Sequence, residues 1–139
     1  MKRERKYLTK DEMNLLYKYG IKITRDRYDV HDLLSILPYK WKEGSKKNRD
    51  EHWEYINFYK DDIEWTCTTP YWQYEGACGL VGWNIVHGET LVECLFNAVI
   101  RLAINDRTSL HVSKLAKTGF FADDLYHVTK EAMERYYAE

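Results

Sequence analysis

The sequence predicts an α+β fold in which a small antiparallel sheet packs on one buried helix. Three observations predict it: a period-two stretch from His52 to Thr69, a helix apolar on nearly every side from about Leu91 to Asn105, and short capped helices at both ends. The 139 residues match one domain, so residues 1–139 are read as a single domain. With 45% apolar residues, 12 Tyr, 5 Trp and 4 Phe, the chain can bury a core without disulfides or metals.

The first helix is expected over about 10–19. Thr9-Lys10-Asp11-Glu12 has the form of a capping box, Leu8 and Met13 form its hydrophobic staple, and Gly20 ends it. A second, two-turn helix starts at Asp29, whose carboxylate can accept from His31 or Asp32 N–H. Tyr28 and Leu33 staple it, Leu33, Leu34 and Leu37 face inward, and Pro38 stops it. Residues 42–51 hold no large apolar side chain and read as an exposed loop with a basic centre.

From His52 the period changes to two. Trp53, Tyr55, Asn57 and Tyr59 alternate with Glu54, Ile56 and Phe58, and Ile63, Trp65 and Cys67 alternate with Glu64, Thr66 and Thr68. Lys60-Asp61-Asp62 supplies turn chemistry, which gives a hairpin at about 52–69. A third strand is expected at Pro38–Lys42 or Leu80–Val86, because a stable small sheet needs three. Thr90 and Glu93 form a second capping box at the head of the central helix. Glu89, Glu93, Asn97, Arg101 and Asn105 make its single wet stripe. Further helices are expected at 110–117 and from Asp123 or Asp124, the last with Leu125, Val128, Ala132, Met133 and Tyr136 on one face.

Composition narrows the function classes. No run reaches the roughly 18–20 apolar residues of a membrane span, and the charged Met1–Lys6 segment lacks the apolar stretch of a signal peptide, so the expected compartment is the cytoplasm. Cys67, Cys78 and Cys94 are an odd set without metal-ligand spacing and are read as reduced thiols. The net charge of −1 conceals a split: residues 1–50 carry 14 Lys/Arg against 8 Asp/Glu, and the remainder carries 7 against 14. Such a split gives either an electrostatic face or two segments that neutralise each other.

Chemistry-bearing constellations are sparse. None of the histidines at 31, 52, 87, 111 and 127 pairs with another His or Cys at ligand spacing. His87 and Cys94 can meet across the first turns of the central helix as an imidazole and a thiol, although a Cys on so apolar a helix more often acts as a small hydrophobe. Asn97 and Arg101 are expected to look out to solvent. The glycines at 76, 79, 82 and 88 match no phosphate-binding fingerprint and read as turns around a short strand. No cofactor and no metal is expected, and the balance leans away from an enzyme.

Two surfaces remain. Thr69 to Tyr74 places Tyr71, Trp72 and Tyr74 in an expected loop, where large aromatics suit contact with a partner, with Trp41 and Trp53 on the adjoining sheet. Basic segments 1–6 and 40–49, interleaved with Tyr7, Tyr39 and Trp41, suit nucleic acid, against a whole-chain pI near 6.5. The order of signals from Leu8 to Asn105 includes Asp32-Leu33-Leu34-Ser35-Ile36-Leu37-Pro38, a Trp/Tyr-rich hairpin and Glu89 to Phe96. It resembles small proteins of bacterial phages and other mobile elements. That resemblance covers about two thirds of the chain and implies no catalytic residues. The expected function is an accessory protein that binds another protein without catalysis. Nucleic-acid binding is the alternative and a small cysteine/histidine enzyme the third reading.

Overall fold

The computed structural model describes residues 4–43, 52–75 and 78–105. In chain order the elements are α1 (Lys10–Lys18), α2 (Val30–Ile36), β1 (Lys40–Glu43), β2 (His52–Tyr55), β3 (Asn57–Lys60), β4 (Trp65–Glu75), β5 (Cys78–Gly88) and α3 (Leu91–Asn105). The architecture is α+β, with an antiparallel pair β1-β2 and an antiparallel sheet β3-β4-β5. The helices expected at 110–117 and beyond 123, and the basic residues 44–51, lie outside the described residues.

The helix ends follow their local chemistry. Thr9 and Glu12 form the expected reciprocal box, Glu12 N–H donating to Thr9 Oγ1 at 3.2 Å and Thr9 N–H to Glu12 Oε1 at 2.8 Å. At the other end of α1, Gly20 adopts φ 85°, a left-handed conformation that a side chain would oppose. Ile21 N–H donates to Leu16 O and Gly20 N–H to Tyr17 O, which closes the helix as a Schellman motif. Asp29 accepts from both His31 and Asp32 N–H, and Asp29 N–H in turn donates to the Asp32 carboxylate. Thr90 Oγ1 accepts from Glu93 N–H at the head of α3.

The sheet is larger than the expected hairpin. The turn is as expected: Asp61 Oδ1 accepts from Ile63 and Glu64 N–H, and β3 and β4 pair from Asn57↔Thr68 to Lys60↔Trp65. The 52–60 arm, however, is divided at Ile56. Its first half pairs with β1 and only its second half pairs with β4, while Ile56 N–H donates to Tyr39 O at 2.8 Å across the break. Both candidate third strands form, as β1 and as β5. The segment from Thr69 to Tyr74 is not a loop but the far half of β4, paired with β5 as a ribbon that extends past the end of β3. Pro70 is compatible with that ribbon because β3 pairs only as far as Thr68, so the missing N–H falls where a strand edge is free of a described partner. The glycines at 79, 82 and 88 lie within β5 rather than flanking a short strand.

The core sits where α3 meets the inner side of β4 and β5 and the two N-terminal helices. Leu16, Leu33, Leu37, Val92, Leu95, Val99 and Leu102 are fully buried there.

Candidate functional site: an aromatic outer face

Alternation along the strands sorts the side chains. Phe58, Cys67 and Val86, neighbours in register, pack into the core. The opposite parity emerges on the outer side, where Trp53, Tyr55, Asn57 and Tyr59 are all exposed, as are Trp83, Ile85 and His87 on β5. Register brings these into rows: Asn57, Thr68 and Ile85 form one, and Tyr59, Thr66 and His87 the next. On the smaller sheet Lys42 lies opposite Trp53 and Lys40 opposite Tyr55.

The rows meet in a cleft of about 430 Å³ lined by Glu54, Tyr55, Asn57, Thr68, Trp83 and Ile85. Its apolar residues are well exposed: Tyr55 at 62%, Ile85 at 57% and Trp83 at 51%. Scattered apolar residues are normal on a protein surface, whereas these three large ones border one depression. Trp41 lies behind the cleft. Its ring is tilted 55° to that of Trp83, with centroids 5.5 Å apart, a geometry that favours aromatic pairs.

The candidate residues therefore have different positions. Trp53 is on the outer face, with Lys40 Nζ 4.9 Å from its ring centroid. Trp41, by contrast, is fully buried, with its ring against that of Trp83. Tyr71, Trp72 and Tyr74 belong to β4, and their side chains lie outside the described residues. Tyr55, Trp83 and Ile85 were not selected from sequence. The signal was present, because Trp53-Tyr55-Asn57-Tyr59 and Trp83-Ile85-His87 each occupy a single parity of their strands.

The basic surface is partly neutralised. Arg5 makes a two-pronged ion pair with Glu12, at 2.5 and 2.8 Å, and this fixes one cation of segment 1–6 to α1. Lys6 lies over the ring of Tyr7, 5.3 Å from its centroid.

His87 and Cys94 are not brought together. The histidine side chain is on the outer face, Nδ1 lying 3.1 Å from Thr66 Oγ1 and 3.3 Å from Glu64 Oε1. Cys94 faces the core, its thiol donating to Val86 O at 3.7 Å. Adjacent residues of one strand point to opposite sides, and that separates the imidazole from any thiol packed under Val86. A second groove, of about 390 Å³, opens beside His87, with Asn97, Arg101 and Ile104 on its helical wall. Asn97 does not only face solvent: its Nδ2 donates to His87 O at 2.7 Å and fastens α3 to β5. Among the described residues no three His, Cys, Asp or Glu side chains converge to hold a metal ion, and no helix is long and apolar enough to cross a membrane.

Comparison with protein-family models, curated proteins and solved structures finds no match to this chain.

Proposed function

We propose that this protein is a non-catalytic accessory factor of the cytoplasm that binds another protein through the outer face of its sheets. The observation that supports the reading best is the cleft walled by Tyr55, Trp83 and Ile85, with Trp83 backed by a buried Trp41. A large aromatic held from behind loses little freedom on binding, and buried aromatics dominate interface energetics. Trp53 extends this face, and the β4 ribbon carrying Tyr71, Trp72 and Tyr74 continues the sheet beyond it. The resemblance to proteins of phages and mobile elements fits an accessory role of this kind.

Lys40 and Lys42 favour a second reading, single-stranded nucleic acid. Their register places them opposite Tyr55 and Trp53, which interleaves cations with stacking surfaces on one face. The pairing of Arg5 with Glu12 engages one of the cations of segment 1–6.

One experiment separates the two. The tagged chain and its Trp83→Asp and Ile85→Lys variants are used to capture partners from host lysate, with and without nuclease. The protein reading expects a stoichiometric, nuclease-resistant partner that both variants lose while their melting temperatures match the parent. A nuclease-sensitive signal that falls steeply with salt and requires Lys40 and Lys42 would replace it with the second reading. Retention of the partner by both variants would remove this face from the interaction.

A further inference from the structure

Among the described side chains are two cysteines that the proposed interaction does not use. Cys67 on β4 and Cys94 in the first turns of α3 are free thiols with no exposed surface. Three observations place them together. Cys67 is the cross-strand neighbour of Val86, and the Cys94 thiol donates to the carbonyl of that same Val86 at 3.7 Å. Gly88, two residues further along β5, lets the helix approach unusually closely: a Cβ there would lie 2.5 Å from Cys94 N and 2.8 Å from its Cα. The backbone of Cys94 thus rests directly on the sheet that carries Cys67.

We propose that Cys67 and Cys94 form a dithiol that a peroxide-class oxidant closes to a disulfide, joining β4 to the head of α3. The two thiols are inequivalent. With the Cys67 thiol as donor to Cys94, the Cys94 pKa is held below its ordinary value against burial and the charges of Glu64 and Glu93, which push it up, and the same pairing, with burial, raises that of Cys67. Position near the positive end of α3 favours a Cys94 thiolate in the same direction.

Cys94 is accordingly the sulfur that reacts first, in the local openings of the fold that admit a small oxidant to a buried thiol. Its thiolate attacks one peroxide oxygen and the O–O bond breaks. The departing hydroxide takes up the proton Cys94 released and leaves as water. The Cys94 sulfenic acid then receives the Cys67 sulfur, an S–S bond forms as the S–O bond breaks, and the hydroxyl leaves as water with the Cys67 proton. Two sulfurs lose one electron each, and the two electrons reduce one peroxide to two waters.

The test treats the folded full-length chain with hydrogen peroxide, followed by denaturation, alkylation and peptide mapping. All three thiols of the untreated chain are alkylated, and closure of the pair leaves one. The product is lighter by about 2 Da and yields a Cys67–Cys94 cross-linked peptide, and its melting temperature is higher by about 10 °C until dithiothreitol restores it. Cys78→Ala leaves the reaction intact, and Cys67→Ala abolishes the mass loss. Three thiols persisting after treatment, a cross-link through Cys78, or a gain of about 16 Da at Cys94 with no cross-link would each overturn the proposal.

Discussion

Trp41 and Trp83 touch each other yet have opposite surroundings, and their substitutions separate packing from function. Trp41 has no exposed surface, so Trp41→Ala opens a cavity beneath Trp83 and costs about 3–5 kcal/mol in urea or guanidinium denaturation. Trp83 keeps half its area in water, so Trp83→Ala costs about 1 kcal/mol while removing the aromatic wall of the cleft. A loss of several kcal/mol at Trp83 would make its ring a core element and weaken the case for the cleft as a contact surface. The burial of Trp41 was not legible in the sequence. The residue is flanked by Lys40 and Lys42, and nothing in that triplet says that the middle residue is the buried one.

At the scale of elements, what was legible is what is local. The caps of α1 and α2 involve residues three apart in sequence, and their positions agree with the observed starts at Lys10 and Val30. The length and burial of α3 were written in its own periodicity. Strand pairing is set by partners tens of residues away, so the division of the 52–60 arm between two sheets had no local sign. The aromatics after Thr69 were expected in a loop, and Pro70 lacks the N–H a ladder needs. Only the register shows that β3 has already ended there. The same nonlocality concealed Gly88, which looked like turn chemistry and proved to be a point of contact between strand and helix. Its substitution tests that contact. Gly88→Ala forces a methyl group into the backbone of Cys94 and is expected to cost about 3 kcal/mol, against about 1 kcal/mol for Thr9→Ala at the cap of α1. Thermal and chemical denaturation of the two variants side by side check both values. A neutral Gly88→Ala would mean that α3 sits farther from β5, and the proximity of Cys94 to Cys67 would fall with it.

At the scale of the molecule, one short N-terminal strap ties distant elements together through carboxylates, and this makes stability depend on acid. Glu4 accepts from the Trp65 indole N–H at 2.7 Å and from Leu91 N–H at 3.2 Å, and lies 3.6 Å from Lys60 Nζ, so it joins the chain start to β4 and to the head of α3. Its neighbour Arg5 holds Glu12 on α1. Partial burial pushes both carboxyls upward. The Trp65 and Leu91 donors at Glu4, and Arg5 and the Thr9 N–H at Glu12, outweigh it and hold both below the ordinary glutamate value of 4.5. A carboxyl depressed in the folded state contributes stability above its unfolded pKa and loses that contribution as pH falls through the folded value. Glu4→Gln should therefore destabilise the chain at neutral pH, and its deficit relative to the parent should close as pH drops below about 4. Denaturant unfolding of both proteins at about pH 7 and about pH 3 measures the two gaps. Closure at the lower pH assigns the strap to ionised Glu4, whereas an equal gap at both values would assign the loss to the neutral hydrogen bonds and packing around Trp65.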